Sequence, residues 1–259
     1  FDTPRSAKEK HRLFVEHAVM LAEKAVNRCL GLAGIDAGFV DHIILVTTTG
    51  TATPSIDAHL VNRLPFRADV RRTPVWGLGC AGGAAGLSRA SEYVRAFPRH
   101  CCLLVSVELC SLTFLRHDES KSNIVATSLF ADGAAAVLVA GDEFPLPVRT
   151  EPAPRIVATG STIWRNTLDV MGWNVIDDGW QVVFSKDIPS LVRQSMKDVV
   201  GSLLASSGLP RDMLCRYVLH PGGMKVLDAY ETALELPPGA LETSRRVLRR
   251  YGNMSSCTV

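Results

Sequence analysis

Residues 75–97 read VWGLGCAGGAAGLSRASEYVRAF, and this stretch decides the fold. An apolar run reaches glycines at 77 and 79, presents Cys80, and passes into a segment, 81–86, almost bare of side chains. Glycine costs roughly 1 kcal/mol against alanine in a helix interior. Gly82, Gly83 and Gly86 therefore imply that other backbone approaches closely there. Ala84, Leu87, Ala90, Val94 and Phe97 then recur at helical spacing. Cys80 thus falls at or beside a helix N-terminus, where the dipole and open N–H groups favour a thiolate. A buried cysteine in a packed βα turn would read the same way, since free cysteine is among the most buried residue types. Cys80 alone leaves both readings open.

Working outward, residues 4–32 predict a long helix. Phe14, Ala18, Leu21, Ala25 and Cys29 share one face, Lys8, Glu9, Lys10 and His11 lie off it, and Gly31 and Gly34 end it. Residues 40–49 read as a strand, IILV running into three threonines and Gly50. The loop TTTGTATPS follows, its threonines expected to bond local backbone, with Pro54 placed to start a helix over 55–64. Residues 70–78 form the strand that delivers Cys80. CCLLVSVE, 101–108, has the near-continuous apolar character of a strand buried on both faces. A polar section at 116–123 leads to a turn at Asp132-Gly133 and a buried strand over 134–140.

The only proline-rich stretch, 143–154, marks a boundary between two halves, 1–142 and 143–259. The second half repeats the grammar of the first: strands at 155–163, 181–184 and 214–219, and helices at 188–207, from Met224, and at 237–250. Strands alternating with helices in both halves predict an α/β protein.

Composition bounds the function. A net charge of +2 and 47% hydrophobic residues over 259 residues describe an ordinary globular chain. Arg245, Arg246, Arg249 and Arg250 read as a solvated helix face rather than a nucleic-acid-binding block. The seven cysteines include no CxxC pair and no metal-ligand spacing, which points to free thiols, a reducing compartment and a cytoplasmic protein. No secretory leader and no membrane-spanning run stand in the sequence.

Two further polar residues lie at element ends beside glycine: His220 closes a strand in LHPGG, and Asn253 follows a helix in YGNMSS. Either alone is ordinary turn chemistry. Together with Cys80 they form a set with a purpose. A thiol needs a base or cation to ionise near neutral pH, and an amide beside an imidazole can donate to an oxygen that turns anionic.

At these residues the chain resembles the type III polyketide synthases, the chalcone-synthase-like branch of the thiolase superfamily. The motifs are WGLGCAGGAAGLSRA around Cys80, SLFADGAAAVLV around Phe130, LHPGG around His220 and YGNMSS around Asn253, in order and suitably spaced. GCAGGAAGL and the MGW at 171–173 are bacterial in style. The resemblance implies a thiolase-like layered αβαβα fold of two pseudo-repeated halves. It implies a homodimer and an acyltransferase that joins an acyl-CoA starter to malonyl-CoA and cyclises the product to a pyrone, resorcinol or related polyketide. Coenzyme A thioesters would be the substrates, with no metal or other cofactor.

Carried over residue by residue, Cys80 would accept the acyl group, and His220 and Asn253 would stabilise the enolate left by decarboxylation. Phe130 would be a gate between the coenzyme A tunnel and the cavity. Thr48, Cys110, Thr113 and Trp173 would line the cavity. Thr53, in a buried loop over 47–54, would approach the partner's cavity, where plant members carry methionine. The pattern's second gating phenylalanine, set before the KDIP of 186–189, aligns on Val182, with Phe184 nearby. The family continues beyond the NMSS motif and carries an upstream basic segment, so the resemblance implies that terminal segments are missing. A ketoacyl-ACP synthase III-like condensing enzyme uses the same three residue types but usually an HQAN-like motif in place of HPGG. A papain-like protease lacks the α/β prelude to its cysteine, and a non-catalytic thiolase-fold scaffold would have no use for all three residues.

Overall fold

The computed structural model describes residues 5–147 and 153–259. They form two compact units that interleave along the chain. The first holds the described residues of Phe1–Leu112, with Asp132–Ile156 and Met254–Cys257; the second holds Thr113–Ala131, Val157–Asn253 and Thr258–Val259. The predicted helix start at Pro4, and part of the proline-rich stretch at 143–154, lie outside the described residues.

The first unit is built on a four-stranded sheet of order β2-β1-β3-β4, formed by β1 (His42–Thr47), β2 (Arg71–Trp76), β3 (Cys101–Leu109) and β4 (Asp132–Ala140). β1 runs parallel to β2 and β3, and β4 antiparallel to β3. Successive strand residues point to opposite faces, and β1 uses both. Ile43 and Leu45 pack with Phe14, Ala18 and Val26 of α1 (Ala7–Ala33) and with Leu60 of α2 (Ile56–Arg63). Ile44 and Val46 pack with Ala90 and Val94 of α3 (Gly82–Ala96) on the other side. β3 is buried along its whole length, as its apolar run predicts. β2 is an edge strand, mostly exposed.

α1 opens with a reciprocal cap between Ser6 and Glu9 and ends at Gly34, in the left-handed region at φ 69°. Gly31 lies inside the helix rather than ending it. The predicted turn at Asp132-Gly133 is instead the start of β4, with Gly133 in register with Glu108. The Asp132 carboxylate accepts from the Ser111 amide at 2.8 Å and its hydroxyl at 2.6 Å, so this Asp-Gly pair extends the ladder.

The second unit carries α4 (Lys121–Leu129), a hairpin of β5 (Met171–Ile176) and β6 (Gly179–Phe184), α5 (Ile188–Ser206), α6 (Met224–Leu234) and α7 (Glu242–Tyr251). Two predicted strands, 155–163 and 214–219, are irregular. A strand persists only where a neighbour completes its ladder, and among the described residues neither segment has one. α4 begins inside the section read as polar: Ser120 caps it by accepting from the Asn123 amide, and only Asn123 and Ala126 are buried, too few for an apolar stripe. Arg245, read as solvated, is mostly buried and ion-paired to Asp228 at 2.7 Å and Glu231 at 2.8 Å, which ties α7 to α6. No helix among the described residues is long and apolar enough to cross a membrane.

Candidate active site

In the first unit, Cys80 lies in a 3-10 turn, Gly79–Ala81, that runs directly into α3. Gly79 has φ 53°, which a side chain would resist. No side chain caps α3; the turn continues into it, and the Gly82 amide donates to the Gly79 carbonyl. The predicted close approach of backbone holds at Gly83, whereas Gly82 and Gly86 are crowded by side chains. Side chains at Gly82, Gly83 and Gly86 would collide with Val46, with the Ser256 carbonyl and with Leu104 respectively. Cys80 is partly exposed. Other thiols of this unit are not suited to ionise: burial pushes Cys101, Cys102 and Cys257 up to about 12.

Beneath this turn lies Glu108, with no exposed surface. Its Oε2 accepts from the Thr48 amide at 2.9 Å, the Thr49 amide at 3.1 Å and the Thr49 hydroxyl at 2.8 Å, and its Oε1 accepts from the Ser256 hydroxyl. Burial raises the carboxyl above its ordinary range, and the donors from Ser256, Thr48 and Thr49 oppose that rise. Thr48, through its amide, and Thr49, through amide and hydroxyl, thus serve a carboxylate some sixty positions away rather than local backbone. Thr48 is buried, and its hydroxyl oxygen accepts the Gly79 amide at 3.1 Å. Glu108 and Ser256 escaped the sequence reading, although a lone carboxylate in CCLLVSVE was a signal, since a buried charge must find donors.

Cys110 is buried at the end of β3. Burial first, then Glu108, Asp132, Cys80 and Cys257, push its thiol well above the ordinary value. Thr49 and Gly50 are buried, but Thr51, Thr53 and Pro54 are exposed, so the loop is buried only in its first half. Thr113, in the second unit, closes the 3-10 turn Cys110–Thr113 and is half-buried.

In the second unit, Asn253 has no exposed surface and its backbone is clamped around Phe130. The Asn253 amide donates to the Leu129 carbonyl and its carbonyl accepts the Ala131 amide, both at 2.9 Å, forming an isolated parallel bridge. Gly252, at φ 72°, lies against Leu129 and Ala131, where a side chain would crowd both. His220 stands before Pro221-Gly222-Gly223, ahead of α6. Both ring nitrogens are buried with no hydrogen-bond partner among the described residues. Burial lowers its pKa to about 4, so the imidazole is neutral near pH 7.

The hairpin settles what lies opposite Phe130. The ring of Phe184, at the end of β6, meets it edge to face with centroids 6.1 Å apart. The Ser122 hydroxyl of α4 donates to the Phe184 carbonyl at 3.2 Å, fastening that strand end. Val182 is directly opposite Trp173 in the β5–β6 register, and the Trp173 ring lies 6.3 Å from Trp180. Trp173, Val182 and Phe184 therefore share one face of the hairpin.

Family models of the chalcone and stilbene synthases match the chain, the N-terminal domain over residues 2–143 and the C-terminal domain over 155–259. The chain belongs to this family. It is 42% identical to a putative chalcone synthase of Bacillus subtilis, over 98% of this chain and 71% of that protein. It is 44% identical to the 1,3,6,8-tetrahydroxynaphthalene synthase of Streptomyces peucetius, over 92% of this chain and 63% of that one. The solved tetrahydroxynaphthalene synthase of Streptomyces coelicolor, a bacterial type III polyketide synthase, superposes with a TM-score of 0.91 at 29% identity, over 99% of this chain and 72% of that one. The chain shares their thiolase-like α/β fold and spans roughly two thirds of the length of these family members.

Proposed function

We propose that this protein is a type III polyketide synthase that loads an acyl-CoA starter on Cys80 and extends it with malonyl-CoA. The Cys80 thiolate attacks the starter thioester and expels the coenzyme A thiolate. Malonyl-CoA loses carbon dioxide, and the electron pair of the broken bond passes to its thioester oxygen as an enolate. His220 and Asn253 donate to that oxygen, each good donor contributing on the order of 3 kcal/mol. The enolate carbon attacks the Cys80 thioester, frees the thiolate, and leaves a chain two carbons longer on coenzyme A. Return of that chain to Cys80 begins another round, and cyclisation to a pyrone, resorcinol or related ring ends the sequence.

His220 carries the reading. An imidazole with both nitrogens buried and unpartnered among the described residues persists as a neutral donor, kept open for a substrate oxygen. Phe130, beside the clamped Asn253, would screen that oxygen from water. The reading takes coenzyme A thioesters as substrates, assigns no metal or other cofactor, and places the enzyme in the cytoplasm. Intact-mass measurement after incubation with acyl-CoA tests it. An acyl adduct on Cys80 is expected; its absence in folded protein points to the scaffold reading. Condensation with malonyl-ACP but not malonyl-CoA would favour the ketoacyl-ACP synthase reading.

A homodimer is part of the proposal. Among the described residues β2 is an edge strand, its Trp76 and, two residues on, Leu78 are 55% and 46% exposed, and Thr53 is exposed. A closed twofold contact is the commonest way to cover such a surface. Sedimentation as a monomer at micromolar concentration would remove this part of the proposal.

A further inference from the structure

Three segments meet behind the Cys80 turn, and one chain of hydrogen bonds runs through them. Glu108 of β3 holds the Thr48 amide at 2.9 Å, and the Thr48 hydroxyl oxygen holds the Gly79 amide at 3.1 Å, one residue before Cys80. From the other side, Ser256 bonds the same carboxylate and the Ser106 hydroxyl, while its carbonyl abuts Gly83 at the start of α3. All of these residues belong to the first unit. Thr48 and Glu108 are 5% and 0% exposed, so water does not replace these bonds. Gly79, at φ 53°, is a residue with wide conformational freedom, confined by the hydrogen bonds that its amide donates to Thr48 and its carbonyl accepts from Gly82.

We propose that Thr48 is a positioning residue for Cys80: its hydroxyl oxygen fixes the Gly79 amide and so holds the thiol at the N-terminal end of α3. Glu108 supports Thr48 in turn by fixing its backbone. The inference rests on Cys80 being the nucleophile of the proposed reaction, but it concerns the reactivity of the thiol and not the substrate. With the turn released, the thiol leaves the helix end, its thiolate fraction falls, and a thiolate-dependent reagent reacts more slowly.

The test uses the whole chain and iodoacetamide, with alkylation of the Cys80 peptide followed by mass spectrometry from pH 6 to 10. Exposed Cys215 serves as an internal reference. Thr48→Ser keeps the acceptor and is expected to stay within about twofold of the parent. Thr48→Val keeps the shape and lacks the acceptor. It is expected to slow Cys80 about three- to tenfold at pH 7, the range one lost hydrogen bond spans, and to move the pH midpoint upward with Cys215 unchanged. An unchanged or faster Cys80 rate in folded Thr48→Val, or equal slowing in the serine and valine variants, overturns the proposal. Should the valine variant not fold, hydrogen exchange at the Gly79 amide of the parent decides: slow exchange supports the brace, and exchange at the rate of an open loop overturns it. Normal Cys80 alkylation without acylation by acyl-CoA would count against the proposed function alone.

Discussion

Phe130 meets Phe184 edge to face, with ring planes at 79° and centroids 6.1 Å apart, whereas Val182 faces Trp173 across the hairpin. The family pattern gives the Val182 position to a phenylalanine. Phe184 stands two residues on along β6 and shares a face with it, so on the proposed reading Phe184 would take the gating place opposite Phe130 from the same side of the strand. Phe184→Ala is expected to raise KM for the acyl-CoA about two- to tenfold, the worth of one aromatic pair, with kcat within threefold. Steady-state kinetics beside Val182→Ala check this. A larger KM effect at Val182 than at Phe184 would return the gate to the position the family pattern assigns.

The division of labour gives a second expectation. Cys80 and Asn253 belong to different compact units and would serve different half-reactions. Cys80→Ala should lose condensation yet still release carbon dioxide from malonyl-CoA. Asn253→Ala should still form the acyl thioester but lose decarboxylation by about 10²- to 10³-fold, the usual cost of one oxyanion donor. Product release and intact mass, measured on the same samples, separate the two. Equal loss of both partial reactions in both variants would contradict the separate roles.

His220 makes stability depend on pH in a defined direction. Its pKa is lowered to about 4 in the folded chain and is near 6.5 when unfolded. Between those values the unfolded state binds the proton and the folded state does not, so stability falls as pH drops from about 6.5 toward 4. The fall totals about 3 kcal/mol. Glu108 acts in the opposite sense: its raised pKa makes acidification favour the fold. Subtracting denaturant midpoints of His220→Gln from those of the parent isolates the histidine. A pH-independent difference would mean that His220 is solvated in the folded state.

The pattern of residues carried the first unit further than the second. IILV and CCLLVSVE announce strands because both faces of the sheet are covered, and GCAGGAAG announces close approach because Val46, Ser256 and Leu104 do lie against those glycines. Residues 155–163 and 214–219 have β-forming side chains but no neighbour to pair with among the described residues, and pairing is not written in the strand itself. Cys80, His220 and Asn253 stand out by their glycine neighbours. Glu108 and Ser256 do not, because their partners are some sixty to 148 positions away along the chain. Only the fold brings them together.

Glu108 also supplies a stability expectation. Glu108→Ala strands the Thr48 and Thr49 amides and takes the acceptor from the Thr49 hydroxyl in a buried site, while the Ser256 hydroxyl keeps Ser106. Each unsatisfied group costs about 1–3 kcal/mol, partly recovered by local collapse, so a loss of about 3–5 kcal/mol is expected. Glu108→Gln retains an acceptor for the threonine amides and should lose less than half as much. Urea denaturation measures both. Equal midpoints for alanine and glutamine would indicate that water enters and satisfies the site.

Trp173 remains the residue through which cavity size can be read. It is half-buried, faces Val182 across the hairpin, and has its ring 6.3 Å from that of Trp180. If its indole walls the substrate cavity, Trp173→Gly opens volume and should move the preferred starter to longer acyl chains or permit further extensions. Glycine also weakens a strand, so Trp173→Val, a small β-former, is the companion variant. Full burial of an aromatic ring makes its removal cost roughly 3–5 kcal/mol, and half-burial lowers that, which leaves both variants expected to fold. Product masses across a panel of acyl-CoA starters give the answer. A common shift in glycine and valine variants assigns the effect to space rather than to a loosened hairpin. An unchanged starter range and product length, with only a lower melting temperature, would make Trp173 a packing partner of Trp180 and nothing more.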